Sequence, residues 1–183
     1  ISVSQPFGYV FDKFFSEDDV NSENVPDHQY ELKPGDMVYK DLNEDGVINQ
    51  DDQMPIGYPV YPEYTYGLNM GFEYKNFDFS MSWAGASHTS RMLGETYRVA
   101  FGATLNRSLL QYMADGRWTP ETAESATYPR MTLTGSTNNS KDSDFWLRDA
   151  SYVRLKNLEV GYNFKGSFFN RLGISNLRAF LNG

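Results

Sequence analysis

The 183 residues hold 24 Asp and Glu against 16 Lys and Arg, a net charge of −8. This balance argues against nucleic-acid binding, which needs clustered basic side chains to neutralise phosphates. The chain has no cysteine and only two histidines, too few ligands for zinc chemistry. No run approaches the ~18 apolar residues of a transmembrane helix, whereas a membrane-spanning strand would show only as alternation. Because the chain begins at Ile1 and stops at Gly183 within an alternating run, we expect a piece of a larger protein.

An acidic loop at residues 41–52 is the clearest pattern in the first third of the chain. Oxygen-bearing side chains alternate around Gly46, which is how a tight loop presents about six to eight oxygens to calcium. No helix is predicted on either side, so we interpret the loop as a structural clasp and not an EF-hand. A solvated acidic turn is the alternative. The predicted metal ligands are Asp41, Asn43, Asp45, the Val47 carbonyl, Asn49 and Asp52, which replaces the usual glutamate.

Strict alternation at residues 64–86 predicts an antiparallel hairpin. Apolar residues occupy the even positions from Tyr64 to Tyr74 and the odd positions from Phe77 onward. Lys75 and Asn76 form the two-residue turn. Pairing across this turn keeps the apolar residues on one face. The predicted pairs are Tyr74 with Phe77, Phe72 with Phe79, Met70 with Met81 and Leu68 with Trp83.

Two properties of the hairpin favour a membrane-spanning sheet over a soluble one. Tilted strands of about 9–11 residues cross a bilayer, and here the aliphatic residues lie mid-strand with Tyr and Phe toward the ends, as in an aromatic girdle. The other face, rich in Gly, Asn and Ser, suits a wet lumen. An ordinary half-buried antiparallel sheet is the alternative, although its strands average ~5–6 residues. The predicted lipid-facing residues are Leu68, Met70, Met81 and Trp83.

Residues 87–150 form a connection too long for a turn, and connections of this length are normally functional. Helical spacing predicts a short helix near Leu105 to Met113. The polar segment from Ser136 to Asp144 is expected to be mobile. Trp118 and Tyr128 could stack on a sugar, but packing within the loop is the favoured interpretation.

Alternation returns over residues 151–183 in two phases. The apolar residues Val153 and Leu155 occupy odd positions, whereas the apolar run that begins at Leu158 occupies even positions. A β-bulge is therefore predicted near Lys156. A short connection from Lys165 to Gly173 leads to a final strand. That strand presents Leu177, Ala179 and Leu181 on one face.

Several motifs follow one another along nearly the whole chain. They are Pro6-Phe7-Gly8-Tyr9, Pro34-Gly35-Asp36, Lys40 to Ile48, Ile56-Gly57, Tyr64 to Leu68, Tyr74 to Asp78, Trp118 to Glu121, Tyr128-Pro129-Arg130 and Asp149 to Leu158. Taken together, and not singly, they resemble the C-terminal barrel portion of the SusC/RagA family of TonB-linked outer-membrane proteins.

The resemblance implies an all-β fold, namely antiparallel strands and long extracellular loops belonging to a transmembrane β-barrel of about 22 strands. Residues 1–63 would form an extracellular loop region, 64–86 a transmembrane hairpin, 87–150 a long extracellular loop and 151–183 further transmembrane strands. The plug and the segment that binds TonB are absent from this sequence.

The function implied is active import of glycans or peptides across the outer membrane of a Gram-negative bacterium. A SusD-like surface lipoprotein would act as lid, TonB would supply energy through the missing N-terminal part, and outer-membrane lipid would surround the strands. Calcium is expected as a structural ion. The resemblance names no residue that binds substrate, and the sequence contains no catalytic constellation, so we do not expect an enzyme.

Two other functions share some of these features. A secreted, calcium-stabilised β-sandwich that binds carbohydrate would also carry the acidic loop and exposed aromatic residues. A glycosidase would need two carboxylates about 5–10 Å apart, and nothing in the sequence selects such a pair among its acidic residues.

Overall fold

The computed structural model describes residues 4–22, 24–101, 108–133, 137–164, 173–174 and 177–183. The chain divides into two compact units. We call Ile1–Tyr61 with Ser90–Asp149 the loop unit, and Pro62–Thr89 with Ala150–Gly183 the sheet unit.

The described residues form mostly short strands in the loop unit and long strands in the sheet unit. No helix among them is long and apolar enough to cross a membrane. The helices are α1 (Glu95–Arg98) and α2 (Gln111–Gly116), with 3₁₀ turns at Asp18–Asn21, Gln50–Asp52 and Asp144–Trp146. The strands are β1 (Phe7–Gly8), β2 (Phe11–Phe14), β3 (Asp27–His28), β4 (Met37–Tyr39), β5 (Val47–Ile48), β6 (Met54–Pro55), β7 (Tyr64–Tyr74), β8 (Phe77–Ser87), β9 (Ser90–Met92), β10 (Leu147–Asp149), β11 (Tyr152–Phe164) and β12 (Leu177–Asn182).

The sheet unit is an antiparallel sheet of four strands in the order β12-β11-β8-β7. The predicted hairpin is confirmed: β7 has the predicted bounds, β8 is one residue longer, and all four predicted pairs occur in the β7–β8 ladder. Lys75 has a φ of 57° at the turn, a left-handed conformation that primed hairpin turns require. The predicted connection from Lys165 to Gly173 lies outside the described residues except at Gly173.

A β-bulge in β11 resolves the two phases of alternation in that strand. Leu155 pairs with Trp83 and Asn157 pairs with Ser82, so two steps along β11 match one step along β8. The extra residue, Lys156, returns the apolar side chains to the same face. The bulge predicted from the sequence is therefore confirmed.

The loop unit is organised around one hydrophobic core. Strand β4 is buried along its whole length and pairs with β2, while Ile48 of β5 is fully buried. Aromatic rings contribute much of the packing; Trp146 contacts the rings of Tyr128 and Phe145 edge-on. The buried cluster contains Tyr9, Met37, Tyr39, Ile48, Ala100, Met113, Tyr128 and Trp146.

Two expectations for residues 87–150 need correction. Among the described residues the helix spans Gln111–Gly116 and not the stretch ending at Met113; Leu105 lies outside them. Met113 is nevertheless buried on the core, which is why the apolar spacing pointed to this neighbourhood. The polar segment ending at Asp144 was expected to be mobile, but Asn138 and Asn139 anchor it, because they are 2% and 4% exposed and hydrogen-bonded inside the unit.

We predict that deleting Lys156 preserves the sheet, whereas deleting Glu159 disrupts it. Without Lys156, β11 reads Val153-Arg154-Leu155-Asn157-Leu158, a regular alternation that needs no bulge. Without Glu159, one part of the strand turns its apolar side chains to the other face. Hydrogen-exchange protection across the β8–β11 ladder is the measurement, and equal loss of protection in both deletions would contradict the assignment.

Candidate functional site

The sheet unit exposes a continuous apolar face, the first of two candidate functional features. On the β7–β8 hairpin, Leu68, Met70 and Phe72 are 54%, 49% and 61% exposed. An exposed apolar surface that spans four strands marks an interaction surface. From the strand registers, this face contains Tyr64, Tyr66, Leu68, Met70, Phe72, Tyr74, Phe77, Phe79, Met81, Trp83, Val153, Leu155, Leu158, Val160, Tyr162, Phe164, Leu177, Ala179 and Leu181.

The opposite face of the same sheet is polar and cross-linked. Arg178 of β12 pairs with Asp78 of β8 and with Glu159 of β11, the latter at 2.6 Å between Nη2 and Oε1. Asn163 donates from Nδ2 to Asp78 Oδ2 at 3.2 Å. A Cβ atom on Gly161 would meet Arg178 and Asp78 at 2.5 Å, so glycine makes room for the ion pair. The two faces therefore differ sharply in the environment that each requires.

The acidic loop of residues 41–52 is the second candidate feature. The Asp41 carboxylate accepts the Gly46 amide at 2.6 Å, and Asp45 Oδ1 accepts the Val47 amide at 2.9 Å. Asn43 uses both ends of its amide: Oδ1 accepts the Asp45 amide at 3.1 Å, and Nδ2 donates to Asp45 Oδ2 at 2.9 Å. Gly46 has a φ of 83°, which closes the turn where the sequence places glycine.

Asn49 and Asp52 have different roles in the loop. Asn49 Nδ2 lies 3.3 Å from the Val47 carbonyl oxygen and 3.5 Å from Asp45 Oδ2, so Asn49 belongs with the first four predicted ligands. Asp52 is fully buried, and its two oxygens accept the amides of Leu42 and Asn49, each at 2.8 Å. Within the described part of the chain, no group of three or more His, Cys, Asp or Glu side chains is arranged to hold a metal ion.

The Asp52 carboxylate holds the loop closed in its ionised form. Burial raises the pKa of its carboxyl, but hydrogen bonds from the amides of Asn49, Leu42 and Asn43 outweigh burial, and the net pKa lies below its ordinary value. The ionised form is the one that these amides stabilise. Asp52 therefore joins the two ends of the loop in its charged state.

Sequence reasoning missed a buried carboxylate, Asp36, that joins three segments of the loop unit. Its Oδ1 accepts Arg130 Nε at 2.6 Å and Asn139 Nδ2 at 2.8 Å, while its Oδ2 accepts the Lys33 amide at 2.9 Å. Asn139 returns a bond by accepting the Met37 amide at 2.9 Å. The only signal in the sequence was that Asp36 and Arg130 each end one of the resembling motifs.

Trp118 and Tyr128 serve packing, as the favoured interpretation predicted. They are 8% and 2% exposed. The Tyr128 hydroxyl donates to the Arg98 carbonyl at 2.6 Å, and the Trp118 ring packs directly against Gly35, where a Cβ atom would lie 2.6 Å from Cε3. Neither ring in this structure presents a face to a sugar.

Comparison with known proteins identifies the family of the chain. No protein-family model matches the chain. A TonB-dependent receptor of Formosa agariphila is 32% identical over 150 residues, which is 82% of this chain and 14% of the relative. The TonB-dependent receptor SusC of Bacteroides thetaiotaomicron is 25% identical over 158 residues, 86% of this chain and 14% of SusC.

A solved structure, the RagAB peptide transporter, matches 97% of this chain and 18% of that chain, with a TM-score of 0.68 and 16% identity. The chain is homologous to part of the SusC/RagA-type TonB-dependent receptors. It spans about 14% of the length of the curated relatives named here. The likeness to the RagAB structure shows the fold alone, whereas the resemblance to the SusC/RagA family inferred from the motifs is confirmed. These homologues are TonB-dependent receptors and transporters, not enzymes.

We predict that the acidic loop of this SusC/RagA homologue loosens as the pH falls. Because the pKa of Asp52 lies below its ordinary 3.8, its ionised form stabilises the folded loop above that value, and the contribution is lost as the pH falls through the folded pKa. Hydrogen-exchange protection of the Leu42 and Asn49 amides should therefore fall below about pH 4, as the Asp52 carboxylate becomes protonated.

Asp52→Asn is the matched variant for this test. One amide would then face an NH₂ group and lose its acceptor, at a cost of ~1–3 kcal/mol. Protection of the two amides should be low in the variant at every pH, while the Tyr39 amide in the core stays protected. Protection in the variant equal to that of the native loop would contradict the role given to Asp52.

Proposed function

We propose that this chain forms part of the wall and outer loops of an outer-membrane importer energised through TonB. The observation that supports it is the continuous apolar face of β7, β8, β11 and β12 opposite a polar face. In this arrangement lipid covers the apolar face, and the polar face lines a wet lumen. The finer prediction of a barrel wall of about 22 strands belongs to this proposal.

Strand length supports a membrane span. At ~3.3 Å per residue, an 11-residue strand is about 36 Å long. Tilted by ~40°, it covers about 28 Å, which matches the ~25 Å apolar band of bacterial outer-membrane barrels. The strands of a soluble β-sandwich do not cross a bilayer, so this length is not required of them.

The edges of the sheet support continuation into a barrel. Within the described residues, β7 and β12 each pair on one side only. A row of unpaired backbone groups is unfavourable in lipid, and a closed barrel removes it. The other strands of a full-length receptor would supply those partners.

The lengths of the connections support an orientation. The Lys75-Asn76 turn is short, as periplasmic turns are, whereas residues 90–149 form a folded connection within the loop unit. We therefore assign the loop unit to the extracellular side. There it would contact a SusD-like surface lipoprotein and the substrate, and the peptide transport named for RagAB favours a peptide over a glycan.

We predict that Met70→Arg impairs membrane assembly far more than Asn69→Arg. Met70 lies on the apolar face near the middle of β7, where a cation facing lipid costs ~2–4 kcal/mol. Asn69 lies on the opposite face beside Ser82, whose Oγ is 2.6 Å from Asn69 Oδ1. The measurement is the amount of folded full-length protein in the outer membrane.

Equal losses in the two variants would remove the basis for a lipid-facing sheet. A full-length protein that stays soluble without detergent would favour the secreted carbohydrate-binding alternative. The homologues are TonB-dependent transporters and not enzymes, so they give no support to the glycosidase alternative.

We also propose that the acidic loop binds calcium as a structural ion. The donor set suits a hard cation: Asp41 and Asp45 supply carboxylates, and the Val47 carbonyl lies beside Asn49. The Asn43 and Asn49 amides now direct NH₂ groups toward Asp45 Oδ2, at 2.9 and 3.5 Å. Rotation of these amides would turn both oxygens toward a cation beside Asp45, in exchange for the bonds that they accept from the Asp45 and Asp51 amides. Asp52 would hold the loop closed or bind through water.

We predict that Asp45→Ala abolishes the luminescence of terbium bound to the loop in place of calcium. The same change should raise hydrogen exchange over residues 41–49. Asp45 is central to the donor set, whereas the neighbouring Glu44, which is also exposed, is not part of that set, so Glu44→Ala is the control. The barrel should assemble normally in both variants because no residue of the apolar face changes. Terbium binding that persists in Asp45→Ala would contradict the site.

A further inference from the structure

The loop unit contains an open cleft of about 510 Å³ whose walls belong to residues within 15–22 and 25–32. Its floor is apolar, with Phe15 buried and Val25 and Leu32 half-buried. Its rim carries the ring of Tyr30, which is 46% exposed. This volume falls within the ~300–1,000 Å³ of small-ligand sites, so it fits a few residues of a ligand and not a protein-sized partner.

Two free carboxylates give the cleft its charge. Asp19, Asp27 and Glu31 all line it. The Asp19 carboxylate already has partners inside the unit, since it accepts hydrogen bonds from Lys13 Nζ at 2.6 Å and from the Ser16 amide at 3.0 Å. The side chains of Asp27 and Glu31 are exposed and make no hydrogen bond or ion pair with any residue that the structure describes.

Among the described residues, no Lys, Arg or His side chain forms an ion pair with Asp27 or Glu31. Lys13 is paired with Asp19. Lys141 Nζ is buried among aromatic rings, 4.8 Å from the centroid of Tyr9 and 5.8 Å from that of Tyr30. His28, on the cleft wall, has a lowered pKa because burial disfavours its charged form. Asp27 and Glu31 are therefore available to pair with a bound cation, beside the apolar side chains of Phe15, Val25 and Leu32.

We propose that this cleft binds a Lys or Arg side chain of a short cationic peptide. The ammonium or guanidinium would lie between Asp27 and Glu31, and its aliphatic stem would cover Val25 and Leu32, as such side chains do on apolar surfaces. A glycan would not supply the cation that the two carboxylates lack. The inference rests on the proposed function, since it names cationic peptides as a substrate class of the importer.

The test uses the full-length protein purified in detergent and three fluorescent tripeptides: trilysine, triglutamate and trialanine. Trilysine should bind most tightly, with an affinity that falls as salt is raised. The double variant Asp27→Asn/Glu31→Gln should weaken trilysine binding about 2- to 30-fold, the range expected for two exposed ion pairs. Asp12→Asn/Glu17→Gln, with the same change in charge but outside the cleft, is the matched control.

Equal binding of trilysine and triglutamate, or equal weakening in the two double variants, would overturn the proposal. So would loss of lipoprotein co-purification in the cleft variant with trilysine binding intact, since the cleft would then serve the lid. Uptake that depends on TonB is measured separately in cells. If uptake holds without a preference for trilysine, the cleft assignment alone fails; if trilysine binds the cleft of a protein that is not in the outer membrane, the proposed function fails.

Discussion

The sheet unit depends on one constraint: the large apolar side chains of its four strands, with the exception of Phe180, must point to the same side. Alternation satisfies it in β7 and β8, where Met70 pairs with Met81. In β11 the apolar residues change from odd to even positions between Leu155 and Leu158, and the bulge at Lys156 keeps them on one face of the sheet. Because one residue of slip would expose polar groups on the apolar face, the bulge is part of the pattern and not a defect in it.

The loop unit is held together differently, by a buried carboxylate where short strands alone would not suffice. Strands of two to four residues contribute few ladder bonds. Asp36 adds bonds to Arg130 and Asn139, which lie 94 and 103 residues away in sequence. Next to it, Gly35 adopts a φ of 90° and lets the Trp118 ring approach its backbone. Three motifs that resemble the SusC/RagA family therefore meet at one place in the folded unit.

Sequence patterns predicted the periodic strands of the sheet unit and missed the long-range contacts of the loop unit, which have no period. The hairpin register, the bulge and the final strand all follow from alternation, because a period of two leaves one satisfactory pairing. The core of the loop unit has no period. Asn138 and Asn139 read as exposed polar residues, yet Asn139 is buried because it satisfies both the Asp36 carboxylate and the Met37 amide. Such a long-range polar match leaves no local signal. In the acidic loop, the glycine turn and the alternating oxygens were foreseeable, but the use of Asp52 by two amides was not.

The acidic loop and the cleft are joined by a short ladder of two residue pairs, the parallel pairing of β3 and β5. The Asp27 amide donates to the Gly46 carbonyl at 2.8 Å, and His28 pairs with Ile48, which is fully buried. His28 is fixed further, because its Nδ1 lies 2.8 Å from the Pro26 carbonyl oxygen. The turn at Gly46 therefore sets where the Asp27 carboxylate stands on the rim of the cleft. A change that moves the Gly46 turn would also move Asp27 on the cleft wall, because their backbones are hydrogen-bonded, whereas Ile48 is held in place by the core.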